Sequence, residues 1–232
     1  MAAGEGRRLR PLTERWPKAV LPIDGRPVIA TLLRELAAAG IETVTVVTGH
    51  LAGQVEALVG NGSGLGLAVR YARQPEPLGS GDAVRVALAA GAKPPLLVSA
   101  ADTVYRPGDV GAAAARWRAS GAEGGLGVRT AVPGELAARS SVRVVDGRVV
   151  ELVEKPAPGQ SPSGLSGAPL WLLGERLAQS LAELAGPPFE LSMAFQRAID
   201  RGWEILALEL GPTRDLTRPE DVVALNFPYL SI

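Results

Sequence analysis

The sequence predicts an α/β fold: a Rossmann-like, doubly wound, mostly parallel sheet with helices on both faces and a small β annex on its C-terminal side. Three observations carry this. Helical and strand periodicities alternate along the first half. The segment TVTVVT at 43–48 is β-branched and continuous, the pattern of a strand buried on both faces. From Gly124 onward the pattern shortens into successive strands.

The elements follow in order. Residues 27–39 set Val28, Leu32, Leu33 and Leu36 at helical spacing, with Gly40 as the C-terminal stop. After strand 43–48, residues 51–59 read as a helix that runs into the turn-rich Gly60-Asn61-Gly62-Ser63-Gly64. Residues 67–71 read as a strand, 82–90 as a helix, 96–99 as a buried strand and 109–119 as a helix. The second half gives strands at 125–130, 142–145, 149–153 and 169–173. Helices at 174–184 and 190–201, a strand at 204–210 and a last helix from Pro219 complete it. No internal repeat is present, and 156–163 (PAPGQSPS) reads as a surface loop. The chain is expected to be a single domain over 1–232, with halves meeting at 123/124.

Composition narrows the chemistry. The net charge of +0 argues against a nucleic-acid binder working through bulk electrostatics, so an anionic ligand needs a local cluster of cations. There are no cysteines, which excludes disulfides, thiolate nucleophiles and thiolate zinc sites. One histidine, His50, excludes a multi-histidine metal centre. No uninterrupted apolar run reaches the length of a membrane span, so no membrane association is expected. The N-terminal residues carry charges with no apolar stretch behind them, which makes the cytoplasm the default expectation.

The densest cluster of chemistry is Gly4-Glu5-Gly6-Arg7-Arg8-Leu9-Arg10-Pro11-Leu12-Thr13, then Trp16-Pro17-Lys18. Glycines let backbone N–H groups approach phosphate oxygens, and Arg7, Arg8, Arg10 and Lys18 add formal charge beside them. The spacing alone also fits an arginine-rich surface turn. A dinucleotide fingerprint would want glycine where Leu9 stands, and a Walker loop would want Gly-Lys-Ser/Thr.

The whole phrase, with the preceding Ala2-Ala3, resembles the opening motif of the sugar-1-phosphate nucleotidylyltransferases, and the likeness continues in order along the chain. Gly25-Arg26-Pro27-Val28-Ile29 is similar to the family's link to its first helix, and Val46-Val47-Thr48-Gly49 to its next strand. Tyr71-Ala72-Arg73-Gln74 with Pro77-Leu78-Gly79-Ser80-Gly81-Asp82 resembles its nucleotide-base segment. Residues 96–102 resemble the strand that ends in the metal aspartate, and Val153-Glu154-Lys155-Pro156 the sugar-phosphate motif. Asp215-Leu216-Thr217-Arg218-Pro219-Glu220-Asp221 resembles the closing Asp-x-x-Thr-Pro-Glu-Asp.

The resemblance implies that an NTP and a sugar 1-phosphate are joined into an NDP-sugar with release of pyrophosphate, in a nucleotide-binding half (1–123) and a sugar-phosphate-binding half (124–232). It implies Arg8 and Lys18 as catalytic cations on the reacting phosphates, and Ala3, Gly4, Gly6, Arg7, Gln74 and Gly79 as nucleotide-binding residues. It implies Glu154, Lys155 and Gly167 on the sugar phosphate, and Asp102 with Asp215 on Mg²⁺. The chemistry suits the composition: a phosphomonoester has a second pKa near 6, so the nucleophile is already an anion and no histidine base is needed. Gln74 both donates and accepts, matching a pyrimidine edge, which tilts the expected nucleotide to UTP or dTTP. His50 is assigned no role, and Trp16, Trp117, Trp171 and Trp203 are expected in packing.

The sequence also departs from the family. Ala101 stands where glycine usually precedes the first metal aspartate, Arg7 where Thr or Ser is commoner, and Thr213 where Trp is usual. Relatives begin with an apolar strand before Ala-Ala-Gly, whereas this sequence starts at Met1. Lack of that strand would leave its neighbours with unpaired buried backbone groups. A misassigned start, a neighbouring strand slipped into the gap, and a remodelled sheet edge would each account for it, the first being favoured. Two rival functions stand beside the transferase: a catalytically silent sensor or regulatory protein of the same fold, and a nicotinamide-dependent oxidoreductase.

Overall fold

The computed structural model describes residues 1–132, 136, 139–157 and 159–229. After a 3-10 turn at Arg7–Leu9, the one-turn helix α1 (Leu12–Arg15) leads to the short strands β1 (Pro22–Ile23) and β2 (Arg26–Pro27). There follow α2 (Val28–Ala38), β3 (Thr43–Thr48), α3 (Ala52–Val59), β4 (Ala68–Arg73), α4 (Ser80–Ala89) and β5 (Leu96–Ser99). Next come β6 (Thr103–Val104), α5 (Asp109–Ser120), β7 (Gly124–Thr130), β8 (Ser140–Val145), β9 (Arg148–Glu154) and β10 (Leu165–Leu173). The chain closes with α6 (Glu175–Ser180), α7 (Leu191–Asp200), β11 (Ile205–Glu209), β12 (Arg214–Asp215) and α8 (Pro219–Asn226).

Local chemistry sets the ends that matter for the site. Helix α2 buries Ile29, Leu32, Leu33 and Leu36, and its last turn closes with Ile41 N donating to Leu36 O at 3.0 Å. Helix α8 starts at Pro219, while Asp221 accepts from the N–H of Thr217 (2.6 Å) and of Arg218 (2.7 Å). That cap anchors the segment just after Asp215.

The sheets are mixed, which corrects the expected mostly parallel sheet. The largest has six strands in the order β5-β10-β7-β11-β9-β8, and only β7–β11 pairs parallel within it. Strands β3 and β4 form a separate parallel pair. The reason is the connections. Parallel neighbours need a crossover of a dozen or more residues, usually a helix. Between β7 and β10 no described segment is helical over such a length, and β8 turns directly into β9 through Asp146 and Gly147, both at positive φ. The expected C-terminal annex is likewise corrected. The short strands belong to the main sheet, and β8 also pairs back on β10, closing β10-β7-β11-β9-β8 into a ring.

Helices do lie on both faces, as expected. On β10, Leu170 and Leu172 pack with α2 and α5, including Trp117. The alternate residues Trp171 and Leu173 pack with α6 and α7 on the other side, where Trp171 meets Phe195 edge to face at 4.8 Å. Of the four tryptophans expected in packing, Trp16 is the exception at 53% exposed.

Between β3 and β5 no strand intervenes, so a slipped neighbouring strand is not what occupies this position. Among the described residues, Met1 and Ala2 enter the gap, where Ala2 forms an isolated parallel bridge to Thr48. Among the described residues, no helix is long and apolar enough to cross a membrane.

Candidate functional site

The glycine–arginine turn is a built structure rather than a free loop. Gly6 sits at φ 62°, and a Cβ there would come within 2.9 Å of Thr13 Cγ2. The buried Thr13 hydroxyl donates to Gly6 O at 2.9 Å, and Leu9 N donates to the same carbonyl at 2.8 Å. His50, assigned no role in the chemistry, packs against this turn. Its Nε2 donates to Thr13 O at 2.8 Å and its backbone N–H to Ala3 O at 3.3 Å, so it braces both ends of the turn. Ala3 is buried, and Gly4 has open space where a side chain would be.

The turn lies past the carboxyl ends of β3, β4 and β5, where open α/β sheets bind their ligands. Asp102 follows β5 and Asp215 lies on β12, and β12 pairs antiparallel with β6 so that Asp215 stands opposite Thr103. The two distant acids are thereby brought to adjacent rungs. Asp102 pairs with Lys18. Asp215 accepts from Arg139 at 2.6 Å and from the Thr217 hydroxyl at 3.3 Å. Gly6, Arg7, Arg8, Lys18, Leu216 and Thr217 line one cavity of about 240 Å³.

Arg7 and Arg8 differ. The Arg7 guanidinium is held by Glu5 (Nε to Oε2, 2.8 Å), and that hydrogen bond holds the Glu5 carboxyl below its usual range. Arg8 is exposed and, among the described residues, makes no hydrogen bond or ion pair. Its charge is therefore open to an anion in the cavity.

No group of three or more His, Asp or Glu side chains that could hold a metal exists among the described residues. Asp102, next to Thr103, and Asp215, opposite Thr103, supply two carboxylates. That donor set fits Mg²⁺, a hard cation that commonly takes one or two carboxylates and completes its shell with water and substrate phosphates.

At the end of β4, the expected base-reading residue has a positioning task. Gln74 is buried; its Nε2 donates to Gly79 O (3.1 Å) and Asp82 Oδ2 (2.7 Å), and among the described residues its carbonyl oxygen makes no hydrogen bond. Gly79 has φ 113°, and a Cβ on it would fall 2.5 Å from Phe189 O. Ser80, which opens α4, donates to Glu190 Oε2 at 2.5 Å. Gly79→Ala is expected to cost roughly 2–4 kcal/mol of unfolding free energy, since both the φ and the backbone contact must give. Urea denaturation checks this; a change below about 0.5 kcal/mol would contradict the assigned packing.

In the second half, a Cβ on Gly167 would meet Ser140 Oγ at 2.6 Å. Glu154 ends β9, paired in register with Ser140, and Lys155 adopts φ 46°, uncommon for a residue with a side chain. Lys155 N donates to Arg139 O at 3.0 Å, and its exposed ammonium lies 3.5 Å from Glu154 Oε1. Arg139 thus ties the Glu154-Lys155 segment to Asp215. Sequence reasoning missed it, because nothing local marks it; the β8–β9 register alone brings it there.

The glycine–arginine turn, the Lys18–Asp102 pair and Asp215 gather beyond the strand ends of an α/β fold. The chain belongs to the nucleotidyl transferase family, whose profile matches residues 1–205. It is 29% identical over 230 residues to a glucose-1-phosphate thymidylyltransferase of Streptomyces griseus, covering 97% of this chain and 64% of that protein. It is 44% identical over 84 residues to the mannose-1-phosphate guanylyltransferase of Mycobacterium tuberculosis, covering 36% of this chain and 23% of that one. The chain therefore spans less than two thirds of either relative. In fold, it resembles the structure of a UDP-glucose pyrophosphorylase complexed with UDP-glucose, with TM-score 0.84, 22% identity and 98% and 96% of the two chains covered. A putative glucose-1-phosphate thymidylyltransferase from Bacillus anthracis gives TM-score 0.86 at 18% identity over 97% and 91%.

Proposed function

We propose that the chain transfers a nucleotidyl group from an NTP to a sugar 1-phosphate, forming an NDP-sugar and pyrophosphate. The observation that carries this reading is the shared cavity of Gly6, Arg7, Arg8 and Lys18 beside Leu216–Thr217, where Lys18 pairs with Asp102 and Asp215 directly precedes Leu216. A sugar-phosphate oxygen forms the new bond to the α-phosphorus as the α–β bridging bond breaks, and the electron pair leaves on pyrophosphate. Catalysis of this kind is chiefly positioning and charge neutralisation.

In this reading Arg8 and Lys18 contact the triphosphate and its leaving pyrophosphate, while the backbone around Ala3, Gly4 and Gly6 cradles phosphate oxygens. Arg7, already engaged by Glu5, contributes field rather than direct contact. Asp102 and Asp215 would hold Mg²⁺, which would supply positive charge to the phosphates. Lys18 would then exchange its present partner Asp102 for phosphate. Lys155 grips the sugar's phosphate, Glu154 accepts from sugar hydroxyls, and Gly167 keeps the sugar pocket open. The free Gln74 carbonyl accepts from a base N–H, which uracil and thymine both offer, and UTP or dTTP is the assigned donor.

The alternation from α2 to α4 supports a Rossmann-like nucleotide half within 1–123, with the sugar-phosphate half following in the same domain. Nucleoside triphosphate chemistry of this kind fits the cytoplasm. Pyrophosphate release, measured with Mg²⁺ across the four common NTPs plus dTTP and a panel of sugar 1-phosphates, tests the reading. It predicts turnover for at least one pair, highest with UTP or dTTP. Nucleotide binding without turnover on any acceptor would favour a silent regulatory protein instead.

A further inference from the structure

We propose that Glu5 sets the affinity of the phosphate site: it engages Arg7 in place of the ligand and so keeps pyrophosphate bound weakly enough to leave. This rests on the functional reading above, in which the cavity takes the triphosphate and its leaving pyrophosphate. The geometry is specific. Arg7 meets the Glu5 carboxylate along two edges, Nε to Oε2 at 2.8 Å and Nη2 to Oε1 at 3.5 Å. Arg10 Nη2 lies 3.6 Å from the same Oε2, so one acid answers two arginines. Gly6, at φ 62°, turns the chain between residues 5 and 7. That turn is fixed from outside, because Thr13 Oγ1 donates to Gly6 O and His50 bonds to Thr13 O. A preformed turn lowers the ordering cost of holding the pair together.

What the pair withholds is the second support. Arg7 lines the same cavity as Arg8 and Lys18, but its guanidinium faces a neighbour two residues away. Arg8 beside it makes no hydrogen bond or ion pair among the described residues. Two adjacent arginines therefore differ only in whether an acid has claimed them. A carboxylate inside a phosphate-binding turn opposes the ligand twice: it repels the anion and it neutralises a cation that would attract it. A unit charge a few ångströms from a polyanion changes its affinity several-fold even at the high effective dielectric of a surface. Nucleotide and pyrophosphate share these cations in this reading, so weaker holding speeds departure of the product, a step that often limits turnover.

Calorimetric titration with inorganic pyrophosphate in the presence of Mg²⁺ tests this on the full chain. It compares the parent with Glu5→Gln, Glu5→Ala, Arg7→Ala, Arg8→Ala and the Glu5→Gln/Arg7→Ala double variant. Glutamine keeps the shape of the side chain and removes its charge. Glu5→Gln is expected to tighten pyrophosphate at least about fivefold, and Glu5→Ala, which removes the carboxylate in a second way, to do the same. A gain in affinity cannot come from a misfolded fraction. The gain should fall below about twofold when Arg7 is already alanine, because the released guanidinium carries it. Unchanged or weaker binding in both Glu5 variants, or an undiminished gain in the Arg7→Ala background, would overturn this proposal alone. Equal binding by the parent and Arg8→Ala would overturn the functional reading, and the proposal with it.

Discussion

Arg8→Ala is expected to lower turnover by about 10²–10³ while leaving the unfolding free energy within about 0.5 kcal/mol of the parent. The separation of the two effects follows from the local structure. Arg8 is exposed and unpartnered among the described residues, so its removal orphans no buried group. It nevertheless lines the same cavity as Lys18 and Thr217, and loss of one preorganised contact to developing phosphate charge amounts to roughly 3–4 kcal/mol. Arg7→Ala is the internal control: Glu5 already neutralises that guanidinium, and a several-fold effect is expected from it. Single-turnover pyrophosphate release with saturating nucleotide makes the comparison. Near-normal turnover in Arg8→Ala would remove the residue from the catalytic role.

The second large effect is expected at the carboxylate pair. Asp215→Asn should reduce turnover at least about a hundredfold and raise the metal concentration needed for half-maximal rate, because a bound divalent ion contributes several kcal/mol of charge stabilisation. Asparagine is close to isosteric and still accepts from Arg139 and Thr217, so the β6–β12 rung and the α8 cap should survive. Titration with Mg²⁺ in wild type and variant measures the shift. A variant that keeps both its rate and its metal requirement would exclude Asp215 as a ligand. Lys18→Ala reads less cleanly, because it leaves the Asp102 carboxylate without its ion-pair partner.

Much of the fold was legible because its elements carry strong local signals. The β-branched run of β3 and the apolar run of β5 have the same bounds in the structure as in the sequence, 43–48 and 96–99. Gly40 and Pro219 likewise sit at the helix end and start that their chemistry favours. Strand direction was not legible, since it depends on whether a helix intervenes between strands and on how β8 folds back on β10. These are pairing choices without a local sequence marker.

The site divides in the same way. Motifs marked the turn, Lys18, both acids and the Glu154-Lys155 pair as candidates, and β6–β12 pairing sets Asp215 opposite Thr103, next to Asp102. Arg139 was invisible because it arrives through the register of β8 against β9. The partners of His50 and Gln74 were not legible, because their side-chain nitrogens answer to carbonyl and carboxylate groups several residues away that only the fold supplies.

Anomalous diffraction from crystals grown with Mn²⁺ and a nonhydrolysable NTP analogue tests the shared cradle most directly. The account predicts one manganese peak within coordination reach of the carboxyl groups of both Asp102 and Asp215, with the triphosphate lying along residues 4–8. A metal bound by neither acid, or a triphosphate seated away from the turn, would contradict it.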